Sequence, residues 1–85
     1  MRHRADAGFW EAYDSLPEAI RQQADKAFEL MKKDPHHPSV RLKKVGTKWS
    51  ARVSRKYRAV ALETDDGLLW IWIGSHAEYD RIIES

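Results

Sequence analysis

Leu68-Leu69-Trp70-Ile71-Trp72-Ile73 is an uninterrupted apolar run in a chain of 85 residues. It is far too short to cross a bilayer, which takes roughly 20 apolar residues in a helix. A strand with no polar face has to be covered on both sides, so the run reads as a central strand. Asp65-Asp66-Gly67 just before it is a hairpin turn signal, and Gly74 closes it. Upstream, apolar residues alternate with polar ones. Tyr57, Ala59 and Ala61 alternate with Arg58, Val60 and Leu62, and Trp49, Ala51 and Val53 alternate with Lys48, Ser50, Arg52 and Ser54. Before Gly46, Val40 and Leu42 alternate with Arg41 and Lys43. Period two with short connections predicts an antiparallel sheet of about four strands.

The first third of the chain has the helical period. Phe9, Trp10, Tyr13 and Leu16 share one face behind Asp6, a candidate N-cap. Ser15-Leu16-Pro17-Glu18 reads as a capping box with proline in the first turn. Ile20, Ala24, Ala27, Phe28 and Met31 extend an apolar stripe to about Lys33, where Asp34-Pro35 ends the helix. These aromatics are expected in the core, Trp10 excepted. Ser75-His76-Ala77-Glu78 is a second capping box, opening a short helix that carries Tyr79, Ile82 and Ile83. The expected fold is α+β: an N-terminal helical hairpin packed on the sheet, then a C-terminal helix, as one domain over residues 1–85. The chain has no cysteine. That excludes a disulfide scaffold and thiol chemistry, and leaves cohesion to the apolar core. No apolar signal core follows Met1, so the cytoplasm is the expected compartment, with no membrane partner.

The net charge of +2 hides a segregation. Residues 1–40 sum to −1 and residues 63–85 to −5, whereas Arg41 to Leu62 carries eight cations and no carboxylate. Such a block repels itself and weakens the compact state. Attraction to phosphates offsets that cost once a polyanion binds. The alternative is a solvated face neutralised by the acidic flanks.

If Trp49, Ala51 and Val53 face the helices, Lys48 and Arg52 face away, and the short turn Ser54-Arg55-Lys56 would set Arg58 beside Arg52. A guanidinium pair on an open sheet face suits bidentate contact with phosphate oxygens. His76 and Tyr79 emerge at the end of the apolar strand. If that strand lies beside the Arg58 strand, they share one rim with the guanidinium groups. RNA cleavage by its own 2′-hydroxyl needs a base, an acid for the departing 5′-oxygen, and cations for the phosphorane. Histidine serves either proton role near neutrality. The candidate catalytic residues are thus Arg58, His76, Tyr79 and Arg52, with Lys43, Lys44, Lys48, Arg55 and Lys56 as candidate phosphate contacts. No cofactor or metal is called for, and His36 and His37 read as solvated turn residues.

The chain resembles the RelE/ParE superfamily of bacterial toxins over nearly its whole length. The resemblance rests on the turn Asp34-Pro35-His36-His37-Pro38-Ser39, on Arg41-Leu42-Lys43-Lys44-Val45, and on Trp49-Ser50-Ala51-Arg52-Val53. Tyr57-Arg58-Ala59-Val60 and the ending Ile73-Gly74-Ser75-His76-Ala77-Glu78-Tyr79 complete it. It implies a small α+β toxin wrapped by a cognate antitoxin. RelE-like members cleave mRNA, usually on the ribosome and without metal, whereas ParE-like members poison DNA gyrase. By position, Arg58 matches the arginine at the scissile phosphate, Arg52 a strand cation, His76 a C-terminal histidine or arginine, and Tyr79 the C-terminal aromatic. Where RelE has a Lys-x-Lys pair this chain has Ser50-x-Arg52, so Lys48 or Lys56 would have to supply the missing cation, and the general base stays open. Three readings follow: an mRNA endoribonuclease, a gyrase inhibitor without chemistry of its own, and a nucleic-acid-binding domain that cuts nothing.

Overall fold

A computed structural model describes residues 2–84 of the chain, without the Glu84 side chain. The elements run β1 (Arg2–Ala5), α1 (Ala7–Asp14), α2 (Glu18–Lys33), β2 (Lys43–Val45), β3 (Lys48–Ser54), β4 (Tyr57–Thr64), β5 (Gly67–Ser75) and α3 (His76–Glu84). The strands form one sheet in the order β1-β5-β4-β3-β2. The four expected strands are present and antiparallel to one another, but a fifth, β1, makes the sheet mixed. It pairs parallel to β5, Arg2 opposite Gly67 through Ala5 opposite Trp70.

The apolar run lies in β5, inside the sheet, as expected. Its lack of alternation has a second cause besides burial. The β4–β5 register pairs Val60 with Trp72 but Ala61 with Trp70, so Ile71 is the extra residue of a bulge. Leu68, Trp70 and Ile73 therefore face the helices and are at most 5% exposed, while Leu69 and Trp72 face the other way and are half-buried. Only the first of these faces is fully covered.

The core cluster joins those three residues to Leu16, Ala24, Met31, Val40, Ala51, Ala59 and Ala61. Truncating Leu68 to alanine in such a setting costs about 2–5 kcal/mol. The two N-terminal helices do not close on each other as a tight hairpin. α1 packs on β5 and α2 on β3, with the Tyr13 hydroxyl donating to Asp25 at 2.8 Å to link them. Between helices and sheet lies a cavity of about 200 Å³ lined by Phe9, Tyr13, Phe28, Met31, Val53 and Trp70 among others. Asp6 caps α1 by accepting from the Phe9 N–H at 2.9 Å, as expected. Ser15 does not cap α2. It closes α1, with its hydroxyl donating to Glu11 O at 3.0 Å. Pro17, in extended backbone, takes the N-cap place without a side-chain bond. Trp10 is 51% exposed. Ser75 caps α3 as expected, its Oγ accepting from the Glu78 N–H at 3.3 Å, while the Glu78 carboxylate accepts from the Ser75 hydroxyl at 3.2 Å.

Candidate functional site

Residues directly opposite on neighbouring strands point to the same face, so the register sorts the charges. On the face away from α1 and α2 stand Arg2 and Arg4 of β1, Lys43 of β2, Lys48 and Arg52 of β3, and Arg58 of β4. No strand carboxylate among the described residues stands there. Glu63, the one acid within a strand among the described residues, is on the side of α1 and α2, opposite Leu68. There it accepts from Trp49 Nε1 at 2.9 Å and pairs with Lys44 at 3.6 Å. The Trp49 bond first, then Lys44, holds its carboxyl below the usual range. Lys44 thus lies apart from the other candidates, on the opposite face. Arg2 and Arg4 pair with Asp66 of the β4–β5 turn at 3.6 and 3.7 Å, which leaves the uncompensated end of this face around Arg52 and Arg58.

Arg52 and Arg58 are direct cross-strand partners, the juxtaposition that the short turn predicts. Arg58 Nη1 donates to the carbonyls of Ser54 at 2.5 Å, Tyr57 at 2.9 Å and Arg55 at 3.4 Å. Its own turn therefore holds the guanidinium in place. Burial first, and then the Arg52 charge, push its pKa down; Tyr79 pulls it back up, and Arg41 adds to the lowering. Arginine keeps its proton in proteins. Like charges held side by side and partly out of water are instead an electrostatic demand for an anion.

Arg41 is the neighbour that sequence pattern misses. Its φ is 49°, left-handed backbone that a non-glycine residue seldom adopts. The kink follows Val40, which is 1% exposed and whose carbonyl accepts from the Arg52 N–H at 2.6 Å. Val40 is thereby anchored in the core while exposed Arg41 is delivered to the Arg52–Arg58 end. A positive φ at arginine leaves no compositional signature, so only its place in the basic block hinted at it.

The C-terminal helix begins against the same turn. The His76 N–H donates to Lys56 O at 2.6 Å, two residues from Arg58. The His76 side chain is exposed, whereas Tyr79 is buried. Their rings lie 5.8 Å apart and tilted by 39°. Imidazole, phenol and three guanidinium groups therefore share the end of the sheet where β3, β4 and α3 meet. Arg55 and Lys56 are exposed on the turn, and Lys43 and Lys48 extend the cationic face toward β2. His37 serves its own turn, its Nδ1 accepting from the Ser39 N–H at 3.1 Å.

Solved structures share this architecture. The RelE toxin of the RelB–RelE antitoxin–toxin complex from Methanococcus jannaschii superposes with a TM-score of 0.71 at 14% identity, over 92% of this chain and 96% of that one. The YoeB/ParE toxin from Agrobacterium tumefaciens gives 0.67 at 16% identity, over 89% and 99%. A variant of the E. coli toxin RelE in its free state gives 0.68 at 19%, over 96% and 88%. At these identities the likeness establishes the fold. No curated protein sequence matches the chain. Residues 18–81 match the family model of the ParE-like toxin domain, a span that takes in Arg41, Arg52, Arg58, His76 and Tyr79, and the chain accordingly belongs to the ParE-like toxin family.

Proposed function

We propose that the chain is the toxin of a toxin–antitoxin pair and that it cleaves mRNA by attack of the 2′-hydroxyl on the neighbouring phosphate. The observation that carries this reading is the Arg52–Arg58 pair on a face without strand carboxylates, with His76 and Tyr79 at its rim. In the reaction the 2′-oxygen loses its proton to a base and bonds to phosphorus. The bond from phosphorus to the 5′-oxygen breaks, and that oxygen takes a proton from an acid. The products are a 2′,3′-cyclic phosphate and a 5′-hydroxyl. Arg58, oriented by three carbonyls, and Arg52 stabilise the charge that grows on the phosphorane, and Arg41 adds to the field. His76 is the side chain suited to one proton transfer near neutral pH, with Tyr79 packed beside it. Lys43, Lys48, Arg55 and Lys56 guide the flanking backbone. An antitoxin that covers this face with acidic side chains would neutralise it, in keeping with the RelB-bound state of the M. jannaschii relative. The ribosome is the natural place to meet mRNA in the cytoplasm.

The test is to map transcript 5′ ends after brief expression of wild-type, Arg58→Ala and His76→Ala chains, with a gyrase supercoiling assay in parallel. New 5′ ends in the wild type alone, with growth arrest relieved in both variants, are expected. Intact transcripts with inhibited supercoiling would assign the chain to gyrase inhibition instead. RNA binding without new ends would leave a non-catalytic binding domain.

A further inference from the structure

Trp72 is the large aromatic on the cationic face, and neither the core nor the proposed chemistry uses it. It stands opposite Val60, which is fully buried, and is itself half-buried. The ring does not stand straight up from the sheet. A Cβ placed on Gly74 would meet Trp72 Cζ2 at 2.4 Å, Cη2 at 3.0 Å and Cε2 at 3.1 Å. The indole therefore leans along β5 and occupies the space that a side chain at 74 would fill. Gly74 is the cross-strand partner of Arg58, so the indole reaches the row of the Arg52–Arg58 pair, one strand spacing of about 4.8 Å away. Beyond it, Leu62 on the same face is 37% exposed and stands next to Lys48 across the β3–β4 ladder. A half-open aromatic and an apolar floor bordered by cations is the combination that holds single-stranded nucleic acid, with charges on the backbone and rings under the bases.

Resting on the nuclease reading above, we propose that Trp72 is a stacking platform for the base next to the phosphate gripped by Arg52 and Arg58, and that Gly74 exists to let the ring lie there. The ligand class is a single-stranded RNA base, taken by its π-face and so with little preference among the four. A ring that merely covers Val60 would be replaceable by any apolar side chain of similar size.

The experiment measures equilibrium binding of two short single-stranded oligonucleotides carrying 2′-O-methyl sugars, which cannot be cleaved. One has all its bases and the other is abasic at the nucleotide flanking the gripped phosphate. Trp72→Leu, which keeps an apolar cover over Val60, is expected to weaken the complete oligonucleotide about tenfold and leave the abasic one unchanged. Trp72→Phe is expected to restore most of the loss. Gly74→Ala, which keeps the tryptophan but evicts the ring from its place, is expected to behave like Trp72→Leu. Equal affinity of wild type and Trp72→Leu for the complete oligonucleotide would overturn the proposal, as would equal weakening of both oligonucleotides, the mark of a structural role. Arg58→Ala separates the two layers. It should weaken both oligonucleotides, and if it weakens neither, the nucleic-acid reading fails whatever Trp72 does.

Discussion

Trp70 Nε1 donates to His3 Nδ1 at 3.1 Å, and the His3 ring lies stacked on Trp70 and edge-on to Phe28. Nδ1 accepts that bond only when it carries no proton. Burial first, and then nearby positive charge including Lys32, lower its pKa below the ordinary 6.5. The unfolded chain therefore takes up a proton before the folded one does. Stability is highest above about pH 6.5 and falls as pH drops from there toward the lowered folded value. Thermal melts at pH 7.5 and 5.5 should show this loss, and His3→Phe should flatten it; an unchanged slope in the variant would assign the loss elsewhere. Arg41 shows the opposite trade. Left-handed backbone costs a non-glycine residue about 1–2 kcal/mol, and glycine would remove that cost while loosening the unfolded chain by about 0.4–1 kcal/mol. Arg41→Gly is thus expected to melt no lower than wild type and yet to bind RNA more weakly. A lowered melting temperature would show that the arginine stabilises the fold rather than burdening it. Neither residue was legible as special beforehand, because a tautomer and a φ angle are fixed by tertiary neighbours and not by pattern.

At the scale of elements, β2 to β5, both long helical stretches and the Ser75 cap were legible because period, turn residues and caps act locally. β1 was not. Arg2-His3-Arg4-Ala5 has no apolar alternation, and it becomes a strand only because β5 offers an edge. It is held by the Arg2 N–H to Asp66 O bond at 2.9 Å, the Asp6 N–H to Trp70 O bond at 3.0 Å, and the Asp66 ion pairs. Exposed pairs of that kind contribute little, so β1 depends on close backbone approach. Gly67 provides it: a Cβ there would lie 1.8 Å from Arg2 O. Asp65-Asp66-Gly67 marks a turn by its composition, but the reason for its glycine is the strand alongside. Gly67→Ala should cost about 1–3 kcal/mol and abolish amide-exchange protection at Arg2 and Asp6, while the β3–β4 ladder stays protected. Undiminished protection at those two amides would mean that β1 is anchored by its side chains.

For the whole molecule, the sheet works as a separator of charge. A block with eight cations and no carboxylate looked like one uniform surface in the sequence, but the period of two divides it between the faces. Lys44 goes to the helix side, where Glu63 meets it, while Lys43, Lys48, Arg52 and Arg58 go to the other. β1 then adds Arg2 and Arg4 to that face, at the end where Asp66 offsets them. What remains is a gradient, neutralised toward β1 and bare toward the β3–β4 turn, which under the proposed function would orient a polyanion along the face. Each phosphate held there releases counterions, and for a single strand the logarithm of affinity falls with the logarithm of salt at about 0.7 per phosphate. If Arg41, the Arg52–Arg58 pair and Lys48 together hold about three phosphates, the slope for a short uncleavable oligonucleotide should be near −2. Arg58→Ala should make it shallower by about 0.7, whereas Arg4→Ala, removing a cation already paired with Asp66, should change it far less. Equal effects of the two substitutions would mean that the face acts through its total charge and that the bare end is no site.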